Sequence, residues 1–261
     1  MKKGSKIAAF LLAAMMTIGC VGCSSNVTTV EGVQSAGVLK MSTNAEFEPF
    51  EYRDGNDIVG IDIDISKKIA EKLGVELEVE SIEFDSLIPA LQSGKADMVA
   101  AGMTADDERR KNVDFSESYY DASQVIIVAK DSEIASPEDL KDKTVGVQQG
   151  TTGDKYCTNE DGKSEYTVGD VKRYSKGMEA VSDLMAGRID AVIIDSFPAD
   201  KFVEKNPDAL KVLDDALTEE EYAIAVRKGS TEFLEKVNEV IRELKESGEL
   251  EEIVNKYYYS S

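Results

Sequence analysis

The sequence predicts an α/β fold made of two similar lobes with mostly parallel sheets. Three observations predict it. Apolar, strand-like runs alternate along the chain with amphipathic helical segments. One such unit occurs twice, as Leu91-x-x-Gly94-Lys-x-Asp97-Met-Val and Leu184-x-x-Gly187-Arg-x-Asp190-Ala-Val, 93 residues apart. Finally, about 240 residues remain once the apolar leader is set aside, enough for one large domain or for two units of about 100 to 120 residues.

The leader sets the compartment. Lys2, Lys3 and Lys6 precede an uncharged apolar stretch from Ile7 to Gly19. That stretch falls short of the roughly 20 apolar residues a spanning helix needs, so residues 1–19 read as a secretory signal. Ile18-Gly19-Cys20 and Val21-Gly22-Cys23 both resemble a bacterial lipobox, with Cys20 the preferred lipidation site and Cys23 the alternative. Residues 20–35 are small and polar and are expected to be a tether to a lipid anchor on the extracytoplasmic face of the cell membrane.

Each element then follows from local pattern. Val38–Ser42 reads as a strand. Ile65, Ile69 and Leu73, spaced by four, make a helix that stops at Gly74. Val75–Ile82 alternates as a half-buried strand, Phe84–Gln92 is helical with Gly94 as its stop, and Met98–Met103 is a buried strand. Val125–Ala129, Thr144–Gln148, Val171–Tyr174, Ala191–Asp195 and Ala223–Val226 are further strands. Ser136-Pro137 opens a short helix, Ala180–Met185 forms another, and Phe233, Val237, Val240, Ile241 and Leu244 define a long one.

Charge and composition exclude several functions. The chain has 30 Lys and Arg against 51 Asp and Glu, a net −21, and loss of the three leader lysines makes it −24. Such a chain repels nucleic acid and anionic lipid. Histidine is absent, which removes imidazole triads and the usual zinc sites, and no metal or cofactor is expected. Only Cys157 lies outside the leader, so the folded part has no intramolecular disulfide. Asp161-Gly-Lys-Ser164 is a near miss to a phosphate loop without its partner glycine.

Four segments carry candidate binding chemistry. TNAEFEPFEY at 43–52 places Phe47 and Phe50 around a proline, so a ring can stand at a cleft edge. AAGMTADDERR at 100–110 ends a strand in Ala101-Gly102, then Thr104-Ala-Asp-Asp107 resembles a capping box with Arg109 one turn in, a carboxylate trap. VGVQQGTTGD at 145–154 is a second, glycine-bounded trap with Thr151 and Thr152. Asp195 is an acid at the end of a buried strand, where α/β sheets bind ligands. Two anion traps, an acid and aromatic walls suit a zwitterion. Its α-carboxylate would lie at Arg109 and Thr152, and its α-ammonium at Asp195.

These segments together resemble the extracellular solute-binding proteins of polar amino-acid ABC transporters, which have the type II periplasmic-binding-protein fold. The resemblance spans Val38 to Tyr258 and rests on GIDIDI at 60–65, FDSLIPAL at 84–91, AAGMT at 100–104, NVDFSESYY at 112–120, VGVQQGTT at 145–152 and GRIDAVIID at 187–195. It implies a cleft between lobe 1 (36–126 and 225–261) and lobe 2 (127–224), with hinge strands near Ile126–Lys130 and Glu221–Val226. It further implies that Arg109, Thr104 and the Thr152 amide hold the carboxylate. Asp195, the Gly102 carbonyl and Thr104 would hold the ammonium. Phe47 and Phe84 would sandwich the side chain, with Asn44, Glu46, Gln148 and Gln149 at its far end and Ala101 and Thr151 in the lining. Relatives selective for basic amino acids often have an aspartate where Asn44 stands, so the amide weakens the case for a cationic ligand without excluding one, with Glu46 able to compensate. The expected function is a monomeric binder, not an enzyme, that closes on a free amino acid and delivers it to a membrane permease. The rivals are a sensory module with the same site and a lyase-type enzyme using Glu46 or Glu48 as its acid.

Overall fold

The computed structural model describes residues 27–159, 162, 164 and 166–258. The leader, Cys20, Cys23, residues 20–26 of the expected tether and residues 161 and 163 of the near-miss loop lie outside the described residues.

Two five-stranded mixed sheets form the two lobes. The first has the order Glu76–Ser81, Val38–Thr43, Met98–Val99, Ala225–Arg227, Val113–Phe115. The second has the order Asp170–Tyr174, Thr144–Gln148, Ala191–Asp195, Gln124–Ala129, Leu210–Val212. In each, the first three strands run parallel, and the fourth enters antiparallel after the chain has crossed from the other lobe.

The repeated motif does the same work in both lobes. Gly94 and Gly187 adopt φ 79° and 67°, and the next amide turns back to close the helix, Lys95 N to Ala90 O and Arg188 N to Asp183 O. Asp97 then bonds Lys40 through both its amide and its carboxylate, at 2.8 and 3.1 Å. Asp190 bonds Thr144 the same way, at 2.9 and 2.8 Å. Each aspartate thereby ties the strand it opens to the neighbouring parallel strand, Val38–Thr43 in the first sheet and Thr144–Gln148 in the second.

Helical spacing decides the packing. Ile61, Ile65, Ile69 and Leu73 are buried on one face of helix Ile61–Leu73. That face meets helices Thr231–Ser247 and Glu249–Tyr258 in one core layer, while Leu87 and Leu91 of helix Leu87–Ser93 fill the opposite face of the sheet. Each fully buried Leu or Ile contributes roughly 1.5–3 kcal/mol.

Two expected boundaries move. The last residues of the expected tether, from Val30, belong to the helix Val30–Ala36, with Val33 in the core. Just before it, Thr28 is buried, with its amide on Ser230 Oγ at 2.9 Å. Polar composition hid one apolar anchor. The hinge near Ile126–Lys130 also moves: Gln124–Ala129 lies wholly inside the second sheet, so a boundary at 126/127 would cut a strand. The crossing is instead the antiparallel pair Tyr120–Ala122 and Glu220–Tyr222, with Glu220 opposite Ala122 and Tyr222 opposite Tyr120.

Candidate ligand-binding site

The C-terminal ends of parallel strands from both sheets converge on one narrow, nearly filled cleft. The first lobe supplies Asn44 after its first strand, Phe47 from a short strand, Phe84 from a 3₁₀ turn, Ala101, Gly102 and Thr104 after Met98–Val99, and Arg109 from helix Asp107–Asn112. The second supplies Gln148, Thr151, Thr152 and Asp195, from strand ends and the start of helix Thr152–Thr158. Eleven of the residues singled out in the sequence line this cavity, whereas Phe50 is fully buried in the core of the first lobe.

Arg109 is 5 % exposed. Its Nη1 donates to Thr104 O at 2.8 Å and its Nη2 reaches across the cleft to Gly150 O at 3.1 Å. The guanidinium stands 5.3 Å from the centre of the Phe84 ring. Burial pulls its pKa below the ordinary value, while Asp106, Glu220 and Asp195 oppose that pull, so the cation persists in a dry site. The helix start differs from expectation. Asp106, not Thr104, caps it, accepting from Arg109 N at 2.7 Å. Thr104 is thereby free to face the cavity.

Asp195 is 6 % exposed and accepts from Tyr222 OH at 2.5 Å. Burial, reinforced by Glu220, pushes its carboxyl up to about 7, against the pull of the hydrogen bond from Tyr222.

Gly102 shows why the strand ends without a side chain. Its φ is +48°, and a Cβ there would lie 2.5 Å from Phe47 Cε1. Its amide donates to Asp62 Oδ2 at 2.8 Å, which fixes the orientation of the peptide that edges the cavity.

At another wall two amides meet. Gln148 Nε2 donates to Asn44 Oδ1 at 2.9 Å and to Ser175 O at 3.1 Å, while Asn44 Nδ2 donates to Ile82 O at 2.8 Å. Glu46 and Gln149, expected beside them, stand at the rim in pairs that bridge the lobes, Lys176 Nζ to Glu46 at 2.7 Å and Gln149 Nε2 to Asp85 at 2.8 Å. Lys155 to Asp106 at 2.6 Å and Lys205 to Glu48 add to these bridges. The lobes are thus closed on each other.

Three contributors were missed in the sequence. Glu51 is a twelfth lining residue, fully buried, with no hydrogen-bond donor on either oxygen. Its carboxyl faces that of Asp62. Burial and this neighbour push Glu51 well above the usual carboxylate range. Glu220 and Tyr222 reach the site from the hinge. A glutamate in an aromatic segment and an acidic run near 219–221 have no periodicity that marks them.

A cleft between two α/β lobes, lined by a buried cation and buried acids, defines a solute-binding protein. The model of the bacterial extracellular solute-binding proteins, family 3, matches residues 39–260, and this chain belongs to that family. It is 39% identical over 250 residues to the arginine-binding extracellular protein ArtP of Bacillus subtilis, covering 95% of this chain and 96% of that one. Among solved structures, the substrate-binding protein AbpA of Streptococcus pneumoniae bound to L-arginine superposes with a TM-score of 0.80 at 38% identity, over 87% and 97% of the two chains. An ancestral arginine-binding protein bound to glutamine superposes with a TM-score of 0.78 at 44% identity, over 85% and 97%. Among the described residues, no helix is long and apolar enough to cross a membrane.

Proposed function

We propose that this chain binds one L-amino acid with a polar or basic side chain, L-arginine first, by closure of the lobes, and delivers it to the permease of an ABC importer. The observation that carries this reading is a buried guanidinium, Arg109, and a buried carboxylate, Asp195, lining one cavity with two aromatic rings. The α-carboxylate would take the donors that Arg109 now spends on Thr104 O and Gly150 O, and the α-ammonium would sit on Asp195, Thr104 and the Gly102 carbonyl. Phe47 and Phe84 would flank the side chain, with Asn44 and Gln148 beyond. Ala101 and Thr151 complete the walls. Similarity to arginine-binding relatives favours arginine, and the paired amides of Asn44 and Gln148 keep glutamine as the second candidate.

The ligand draws the equilibrium to the closed form because only there do both lobes touch it. We assign lobe 1 to 27–119 and 223–258 and lobe 2 to 123–219, joined by the crossing strands Tyr120–Ala122 and Glu220–Tyr222. Lipidation at Cys20, or Cys23, would hold a monomer at the outer face of the membrane beside the permease.

No catalytic residue is assigned. Glu46 and Glu48, the acids an enzyme would use, are paired with Lys176 and Lys205 at the rim and do not line the cavity. Mass spectrometry of the protein purified under native conditions tests the reading: a co-purifying L-arginine or L-glutamine, displaced stoichiometrically by added ligand, is expected. Turnover of a candidate substrate, or retention of a ligand without an α-amino-acid group, would overturn it. Metabolic labelling with a radioactive fatty acid, lost in a Cys20→Ala, Cys23→Ala double variant, tests the anchor.

A further inference from the structure

The hinge strand carries an acid that the binding scheme above does not use. Glu220 is 7 % exposed and stands opposite Ala122 in the crossing pair. Its Oε2 accepts from Thr104 Oγ1 at 2.5 Å and its Oε1 from Thr218 Oγ1 at 2.6 Å. Thr152 Oγ1, from the other lobe, approaches Thr104 Oγ1 at 3.1 Å.

A threonine hydroxyl has one proton, and a carboxylate only accepts. With its proton on Glu220, Thr104 turns only lone pairs toward the cavity, and Thr152 must donate to it. The hydroxyl chain therefore has one direction, from Thr152 across the cleft to Thr104 and into the hinge at Glu220. Two residues along the same strand, and so on the same face, Tyr222 donates to Asp195.

Building on the proposed binding of an α-amino acid, we propose that Glu220 is the positioning residue of the ammonium end: it takes the Thr104 proton, making that hydroxyl an acceptor for the ligand's ammonium and barring a carboxylate from the same place. The arrangement sets which way round a zwitterion lies. A carboxylate at Thr104 would meet lone pairs and the charges of Asp195 and Glu220. An ammonium there meets only acceptors.

Glu220 also shapes the titration of Asp195. The groups facing Asp195 are Glu220 and Tyr222 from the hinge strand, Glu51 and Arg109 from the first lobe, and Gln124 at the start of its neighbouring strand. Replacing the charged Glu220 by a neutral amide removes one of the forces that hold the Asp195 proton on.

The test is a double-mutant cycle by titration calorimetry on the full chain dialysed free of ligand. The probe is whichever of L-arginine and L-glutamine the wild type binds more tightly. Glu220→Gln keeps the shape, but its amide can donate to Thr104 and reverse the chain. At pH 9, where Asp195 is ionised, Glu220→Gln is expected to weaken binding at least five-fold in the wild-type background and less than two-fold on Thr104→Val. In the Glu220→Gln variant the pH at which affinity half-falls should also move to lower pH, which a merely structural role would not produce. Equal losses in both backgrounds, or an unmoved midpoint, overturn the inference while leaving amino-acid binding intact. A wild type that binds no amino acid overturns both. Should Glu220→Gln fail to fold, Glu220→Asp keeps the charge but withdraws it from Thr104, and the same coupling is expected and the same equality would refute it.

Discussion

Truncating Arg109 to alanine removes the only cation that lines the cavity among the described residues. In the closed protein its two terminal nitrogens hold Thr104 O and Gly150 O at 2.8 and 3.1 Å, one carbonyl in each lobe. A ligand carboxylate would exchange these for charge-assisted bonds to a guanidinium that is 5 % exposed. Removing one partner of such a desolvated pair costs about 2–5 kcal/mol, which is roughly 30- to 5,000-fold in affinity. Arg109→Lys keeps the charge but loses the planar fork, and should fall between wild type and alanine. Calorimetric titration gives the affinity, and thermal melts without ligand separate it from lost stability. If Arg109→Ala binds within two-fold of wild type while folding normally, the placement of the carboxylate at Arg109 is wrong.

Other consequences follow from the same geometry. Gly102→Ala places a Cβ 2.5 Å from the Phe47 ring at a left-handed φ, so it should cost about 1–3 kcal/mol in denaturant melts and weaken binding as the ring shifts. Asp190→Ala frees the Thr144 amide and Asp97→Ala frees that of Lys40 together with Arg227, so each should cost roughly 1–3 kcal/mol, measurable by urea unfolding. Asp62 is pushed up to about 6 and Asp195 to about 7, both above the roughly 3.9 of an unfolded aspartate. The stability they contribute is therefore fully present below about pH 4 and is lost as pH rises through 6 and 7. Melting temperatures of Asp62→Asn should fall less than those of wild type between pH 4.5 and 7.5. Ligand affinity should run the other way and weaken as pH drops below about 7, because the ammonium needs an ionised Asp195. An affinity that is flat from pH 5.5 to 8.5 would contradict that role.

Local pattern was enough to place the walls of the cleft. Strand ends followed by glycine or threonine, as at Ala101-Gly102 and Gly150-Thr151-Thr152, mark where backbone is left open in an α/β sheet, and the structure brings these ends together. The repeated Gly-x-x-Asp unit foretold two lobes because its left-handed glycine closes a helix locally, while the aspartate opens the next strand and ties it to a strand 57 residues back in one lobe and 46 in the other. The hinge was less legible. Gln124–Ala129 is apolar throughout because it is buried in the second sheet, and hydropathy alone does not distinguish a crossing strand from a central one. Tyr120–Ala122 and Glu220–Tyr222, the true crossing, are short and polar at their centre. Glu51 and Glu220 escaped notice for a related reason. Glu220 meets Thr104 from 116 residues away, and Glu51 faces Asp62 from a different element, a strand against a helix, so no shared periodicity marks either pair.

Titration of the ligand-free chain with the common L-amino acids, one at a time, tests the central claim most directly. The expected result is one-to-one binding, micromolar or tighter, for L-arginine or L-glutamine, abolished when the α-amino group or the α-carboxylate of that ligand is blocked. Absence of binding to every amino acid, or binding that survives blocking of both groups, would contradict the reading of Arg109 and Asp195 as the two ends of an amino-acid site.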